Sequence, residues 1–113
     1  MSDCIFCKIA KGEIPSNKVY EDEKILAFKD LDPQAPVHIL LIPKAHIAGA
    51  DEITEENSDV VAHIFCVASR LAKEMNLERG YRIVTNCGEE GGQSVRHLHF
   101  HLLGGRSMAW PPG

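Results

Sequence analysis

The chain has 113 residues, with 12 Lys+Arg against 16 Asp+Glu and a formal net charge of −4. That balance excludes most nucleic-acid polymer binders, whose affinity comes from clustered cations. The apolar runs fall short of the roughly 18 residues of a membrane span, and the N-terminus lacks a basic-then-apolar export pattern.

With 44% hydrophobic and 25% charged residues, the composition is that of an ordinary folded protein. The length and the lack of repeats or linkers predict one domain over residues 1–113. A cytoplasmic protein is expected, in which Cys4, Cys7, Cys66 and Cys87 serve as thiols or thiolate ligands in preference to disulfides.

The first predicted element is a short helix over Cys4 to Lys11, capped by Asp3 and ended by Gly12, with Ile5, Phe6 and Ile9 on its apolar side. Strands are expected over Lys18 to Glu21 and Ile25 to Lys29, separated by the acidic turn Asp22-Glu23. A third, His38 to Ile42, is bounded by Pro36 and Pro43 and is too apolar for a solvated edge. A long helix should begin after Thr54, with Val60, Ile64, Val67, Ala68, Leu71 and Met75 on one face. Cys66, on that helix, reads as a buried small apolar residue, and His63 as a surface histidine. Strands Tyr81 to Cys87 and Val95 to Leu103 follow, joined by the glycine-rich turn Gly88 to Gly92. Together these elements predict an α+β fold with one antiparallel sheet of about five strands, one long helix and a short N-terminal helix.

The richest segment chemically is His97-Leu98-His99-Phe100-His101-Leu102-Leu103. Strand side chains alternate faces, so the three histidines should point one way while Leu98, Phe100 and Leu102 point into the core. Two chemistries fit three aligned imidazoles: a catalytic zinc that activates water, or one imidazole acting as a nucleophile supported by its neighbours. The alternation does not separate them. Upstream lie Asn86 and Gly91-Gly92-Gln93-Ser94, with no Walker-type lysine; such a loop lets backbone N–H groups approach a phosphate.

The His-X-His-X-His run followed by two apolar residues resembles the signature of the histidine triad (HIT) family. The resemblance extends to its nucleotide-binding branch, the purine nucleoside phosphoramidases, through most of the chain. It is carried by Ile5-Phe6 with Ile9, Glu13-Ile14-Pro15, Ala27-Phe28, Asp30, Pro33-Gln34-Ala35-Pro36 and Ile42-Pro43-Lys44 with His46. Gly91-Gly92-Gln93-Ser94, the triad, Gly104-Gly105-Arg106 and Trp110-Pro111-Pro112-Gly113 complete it.

The resemblance implies a HIT-like fold and a purine nucleotide substrate. His99 would attack the α-phosphorus of a purine nucleoside 5′-phosphoramidate, forming a nucleotidyl-histidine that water then hydrolyses. His101 and Ser94 would bond the phosphate and the departing amine, with Gly92 and Gln93 completing the cradle. Asp30 would accept the ribose hydroxyls. Ile5, Phe6, Ile9, Phe28 and Leu31 would form the apolar slot for the base, and Asn86 would reach the nucleotide. The family also implies a homodimer with joined sheets, in which Trp110 lies near the partner's site.

One feature departs from some members of that branch: the Cys-x-x-Cys pair Cys4 and Cys7. More distant members of the superfamily, including galactose-1-phosphate uridylyltransferase, join such a pair to a distant histidine and the first triad histidine. The matching positions are His46 and His97, which implies a structural Cys₂His₂ zinc site that leaves His99 and His101 free. A nucleotide-binding regulatory protein with vestigial catalysis, and a zinc-hydroxide hydrolase using the triad as ligands, are the competing readings.

Overall fold

The computed structural model describes residues 3–113. It contains α1 (Ile5–Ala10), β1 (Lys18–Glu21), β2 (Ile25–Lys29), β3 (Val37–Pro43), a 3₁₀ turn (Ala50–Glu52), α2 (Asp59–Glu74), β4 (Tyr81–Val84) and β5 (Phe100–Gly104). The five strands form one antiparallel sheet in the order β1-β2-β3-β5-β4. The predicted α+β architecture is the observed one.

Register distributes the side chains between two faces. Ala27 pairs with Leu41, Leu41 with Phe100, and Ile39 with Leu102. These residues meet Ile64, Val67, Ala68 and Leu71 of α2 in one buried cluster that also takes Leu98. The helix periodicity therefore identified its buried stripe correctly. On the opposite face Leu26 pairs with Ile42 and Phe28 with Leu40, and Phe6 and Ile9 of α1 cover them. Because α1 has only 6 residues, it covers part of that face and leaves the β5 end for polar groups.

Several boundaries differ from expectation, each for a local reason. Cys4, and not Asp3, caps α1: its Sγ accepts from the Cys7 N–H at 3.3 Å. α2 begins at Asp59 because Thr54 and Asn57 take backbone partners outside a helix. Asn57 Oδ1 accepts from the Thr54 N–H at 2.7 Å, and Thr54 Oγ1 from the Glu56 N–H at 3.2 Å. Such side-chain bonds compete with helical ones. Cys66 is exposed, not buried, lying off the apolar stripe. β4 ends at Val84 and not at Cys87.

The largest correction concerns the histidine strand. β5 starts at Phe100, five residues later than Val95. The Leu98 N–H donates to the Ile47 carbonyl at 2.6 Å, and the His97 N–H turns back to the Val95 carbonyl at 2.8 Å. Residues 95–99 thus leave the ladder as β3 ends at Pro43. The alternation of direction survives: Leu98, Phe100 and Leu102 all enter the core facing α2.

Candidate functional site

The site lies on the α1 side of the sheet, where the run from His97 to His101 crosses below Phe6. Phe6 sets its ring edge-to-face against Phe28 at 5.8 Å, His97 at 5.9 Å and His99 at 5.0 Å between centroids. Two triad histidines are almost closed to solvent, His97 at 0% and His99 at 3% exposure. Buried imidazoles must satisfy their ring nitrogens, and the partners found here assign each tautomer.

For His97, Nε2–H donates to the Pro43 carbonyl at 2.8 Å, an atom that can only accept. Nδ1 therefore carries the lone pair, and it faces Cys4 Sγ at 3.2 Å and Cys7 Sγ at 3.5 Å. His46 brings its Nδ1 to 3.3 Å from Cys7 Sγ. The ligand atoms of Cys4, Cys7, His46 and His97 all lie within 4.8 Å of one another. Tetrahedral zinc with sulfur and nitrogen ligands needs N···S separations of about 3.6 Å. The donor set thus fits structural zinc, with the Pro43 carbonyl as the outer partner that orients His97. Burial, followed by Cys4, pushes the Cys7 thiol up. Burial pulls His97 down, toward the neutral form a metal requires.

For His99, Nδ1–H donates to the main-chain carbonyl of His97 at 2.7 Å. Nε2 is therefore the nitrogen that carries the lone pair of the neutral ring. The His99 carbonyl is itself held by the Thr85 hydroxyl at 2.8 Å. Thr85, just beyond β4, carried no sequence signal as a site residue.

For His101, assignment begins one strand away. The Gln34 N–H donates to His38 Nδ1 at 3.0 Å, so His38 carries its proton on Nε2. That N–H reaches His101 Nδ1 at 2.9 Å, with Asp30 Oδ2 at 3.4 Å. His101 must then hold its own proton on Nε2, as a donor. Burial first, then His99 and His38, brings its pKa down to about 4, so near neutral pH it is uncharged. Asp30, His38 and His101 also lie close enough to hold an ion. However, a metal on His38 Nε2 would require a proton on Nδ1, where Gln34 already donates. The cluster is therefore organised to pass on a proton's orientation, not to hold a metal. His38 was missed as a site residue, although its place on β3 among Leu40 and Ile42 gave a signal: an ionisable group at an otherwise apolar strand face.

The remaining expected residues fall in three groups. Phe6, Ile9 and Phe28 pack together in the α1 cluster, whereas Ile5 is 45% and Leu31 90% exposed, both at the rim. Asp30 turns one carboxylate oxygen to the Asp32 N–H at 2.8 Å and the other toward His38. Asn86, Gly92, Gln93 and Ser94 belong to the loop after β4; Gly92 has φ +79°, a conformation glycine adopts without strain. The Gln93 side chain is not free for a ligand: Nε2 donates to the Ala48 and Val95 carbonyls at 2.8 and 3.0 Å. Its Oε1 accepts from the Gly88 N–H at 2.9 Å and from Arg96 Nη1 at 2.8 Å. A separate groove of about 550 Å³, lined by Leu77, Tyr81, Arg82, Arg106 and Met108 among others, lies beyond β4. None of the predicted site residues lines it.

Comparison with known proteins places this fold in a family. Residues 3–110 match the family model described as "Scavenger mRNA decapping enzyme C-term binding". The crystal structure of a HIT family hydrolase from Legionella pneumophila superposes with a TM-score of 0.96 at 54% identity, covering 98% of this chain and 100% of that one. This chain belongs to the HIT family. Among relatives, the adenylylsulfatase HINT1 of Arabidopsis thaliana is 50% identical across 99% of this chain and 78% of its own length. The 14 kDa zinc-binding protein of Zea mays is 54% identical across 99% of this chain and 89% of its own. Within this HIT fold, no helix of the described residues is long and apolar enough to cross a membrane.

Proposed function

We propose that this chain hydrolyses purine nucleoside 5′-phosphoramidates, such as adenosine 5′-phosphoramidate, to the nucleoside monophosphate and an amine. The observation that carries this reading is the His99 imidazole, whose Nδ1–H is held by the His97 carbonyl at 2.7 Å, so that Nε2 is the nitrogen that can attack. Attack by Nε2 on the α-phosphorus forms the nucleotidyl-histidine as the P–N bond breaks; the leaving nitrogen takes a proton from solvent and departs as the neutral amine, while the His101 Nε2–H stays on its ring and hydrogen-bonds the phosphate and the departing amine. Water then attacks the same phosphorus, the bond to His99 Nε2 breaks, the water's proton returns to solvent, and the monophosphate departs. Ser94 bonds the phosphate oxygens, and Gly92 and Gln93, whose own N–H groups close the loop onto the Glu89 and Gly88 carbonyls at 3.0 Å each, shape the cradle around them. Asp30 takes the ribose hydroxyls, and Phe6, Ile9 and Phe28, with Ile5 and Leu31 at the rim, hold the base; Asn86 reaches the nucleotide.

Cys4, Cys7, His46 and His97 hold zinc, as the name of the Zea mays relative suggests for that protein. When bound it supplies no chemistry at phosphorus; it fixes α1 and the His97 carbonyl on which His99 depends. A second copy of the chain completes a homodimer, with the exposed Trp110 tail directed at the partner's leaving-group side. A sedimentation run at micromolar concentration checks that state.

The test of the activity is a panel of adenylyl substrates without added divalent metal: the phosphoramidate, the sulfate suggested by the Arabidopsis relative's name, and bare monophosphate as ligand. Faster release of monophosphate from the phosphoramidate supports the reading, and faster cleavage of the sulfate reassigns the leaving group. Binding without turnover of either would leave a nucleotide-binding regulatory protein.

A further inference from the structure

Arg96 stands immediately before the triad, and its guanidinium ties the 3₁₀ turn to the loop after β4. Nη2 forks onto both carboxylate oxygens of Asp51 at 3.1 and 2.8 Å, in the 3₁₀ turn. Nη1 donates to Gln93 Oε1 at 2.8 Å, the same oxygen that receives the Gly88 N–H and closes the loop from Gly88 to Gln93. The fork lies against Gly49: a Cβ there would stand 2.4 Å from Nη1. No other residue type leaves that space, so Gly49 and Arg96 are fitted to each other.

The consequence lies in the Gln93 amide. Its two N–H groups and its oxygen all have partners, so Oε1 can face only Gly88 and Arg96. The loop's curvature is tied to that orientation, because the same oxygen bonds the first residue of the loop. An arginine can supply one donor to this oxygen while holding Asp51 bidentately; a lysine has no such planar fork.

We infer that Arg96, braced by Asp51 and seated on Gly49, is a positioning residue that sets the loop from Gly88 to Ser94 for the phosphate of the nucleotide. It touches no substrate. This rests on the nucleotide reading above, and its effect should fall on phosphate recognition alone, leaving the base pocket under α1 as it is.

The test compares zinc-loaded wild-type protein with Arg96→Ala, Arg96→Lys and Gly49→Ala, and with Arg79→Ala as a control for loss of an exposed cation. Each is titrated with adenosine and with adenosine 5′-monophosphate, and amide hydrogen exchange is followed over residues 88–94. Because the contact is exposed and indirect, the gain in affinity that the phosphate confers should fall by about tenfold in Arg96→Ala. Gly49→Ala should do the same by displacing the guanidinium, and Arg96→Lys should restore only part. Adenosine binding and melting temperature should hold, and exchange in the loop should quicken. An unchanged phosphate gain in Arg96→Ala and Gly49→Ala, or equal losses for both ligands, would overturn the positioning role while the nucleotide reading stands. A wild-type protein that binds the monophosphate no better than adenosine would overturn both.

Discussion

Two clusters in this molecule gather histidines with acidic or thiol groups inside 4.8 Å: Cys4, Cys7, His46 and His97 at one end of the triad, and Asp30, His38 and His101 at the other. By proximity alone they are equivalent. They differ in what holds the far nitrogen of the key imidazole. The Pro43 carbonyl takes the His97 Nε2 proton and leaves Nδ1 open toward two thiols. The Gln34 N–H takes the His38 Nδ1 lone pair, so Nε2 must be protonated. One outer partner is an acceptor and the other a donor, and that difference makes one cluster a ligand set and the other a proton-orienting chain. His99 sits between them and depends on the first for its carbonyl and on the second for its neighbour.

The sharpest way to separate His99 from both clusters is to remove its ring. His99→Ala should lower turnover of adenosine 5′-phosphoramidate by at least about 10⁴-fold, as loss of a covalent nucleophile requires. Zinc content and melting temperature should stay at wild-type values. A folded His99→Ala protein that keeps most of its activity would remove the nucleophile from the scheme.

Replacing Cys4 and Cys7 together by serine should take zinc from one per chain to none in elemental analysis. If the second cluster also held metal, a residue of zinc would persist, and the comparison would break. The same change should lower the melting temperature by roughly 10 °C, because the site contributes to folding. Activity should decline only as the protein loosens.

His38→Phe removes the donor to His101 Nδ1 but keeps a ring of similar size. Turnover should fall by about 10–100-fold with little change in zinc content, since the role is to orient a hydrogen-bond donor toward the phosphate and the departing amine. An unaltered kcat would show that His101 finds its tautomer without help.

The smallest effect is on acid stability. His101 titrates at about 4 in the folded chain against an ordinary 6.5, so between those values the unfolded chain binds more protons. Stability must then fall as pH drops from about 6.5 toward 4, and level off below. His101→Gln should show a shallower loss than wild type when urea unfolding is compared at pH 7, 5.5 and 4.5. Parallel curves would mean that His101 is not held neutral by its surroundings.

Much of this was legible in the residues themselves. The apolar stripe of α2 and the five strands follow from periodicities set by backbone geometry, which any window of sequence displays. The alternation of His97, His99 and His101 with Leu98, Phe100 and Leu102 likewise fixed which side chains go to the core, even though the first half of that run leaves the ladder. The resemblance to more distant members of the superfamily brought Cys4, Cys7, His46 and His97 into one set, and the fold gathers those four within ligand distance. Tertiary structure alone decided the tautomers, because each depends on a partner remote in sequence: Pro43 for His97, Gln34 and His38 for His101, Thr85 for the backbone of His99. It also decided that the Gln93 side chain serves the loop and not a ligand, and that Arg96 meets Asp51 across 45 residues. A pattern along the chain records which way a side chain points; a hydrogen bond records what stands at the other end, and only the folded chain brings that group within 3 Å.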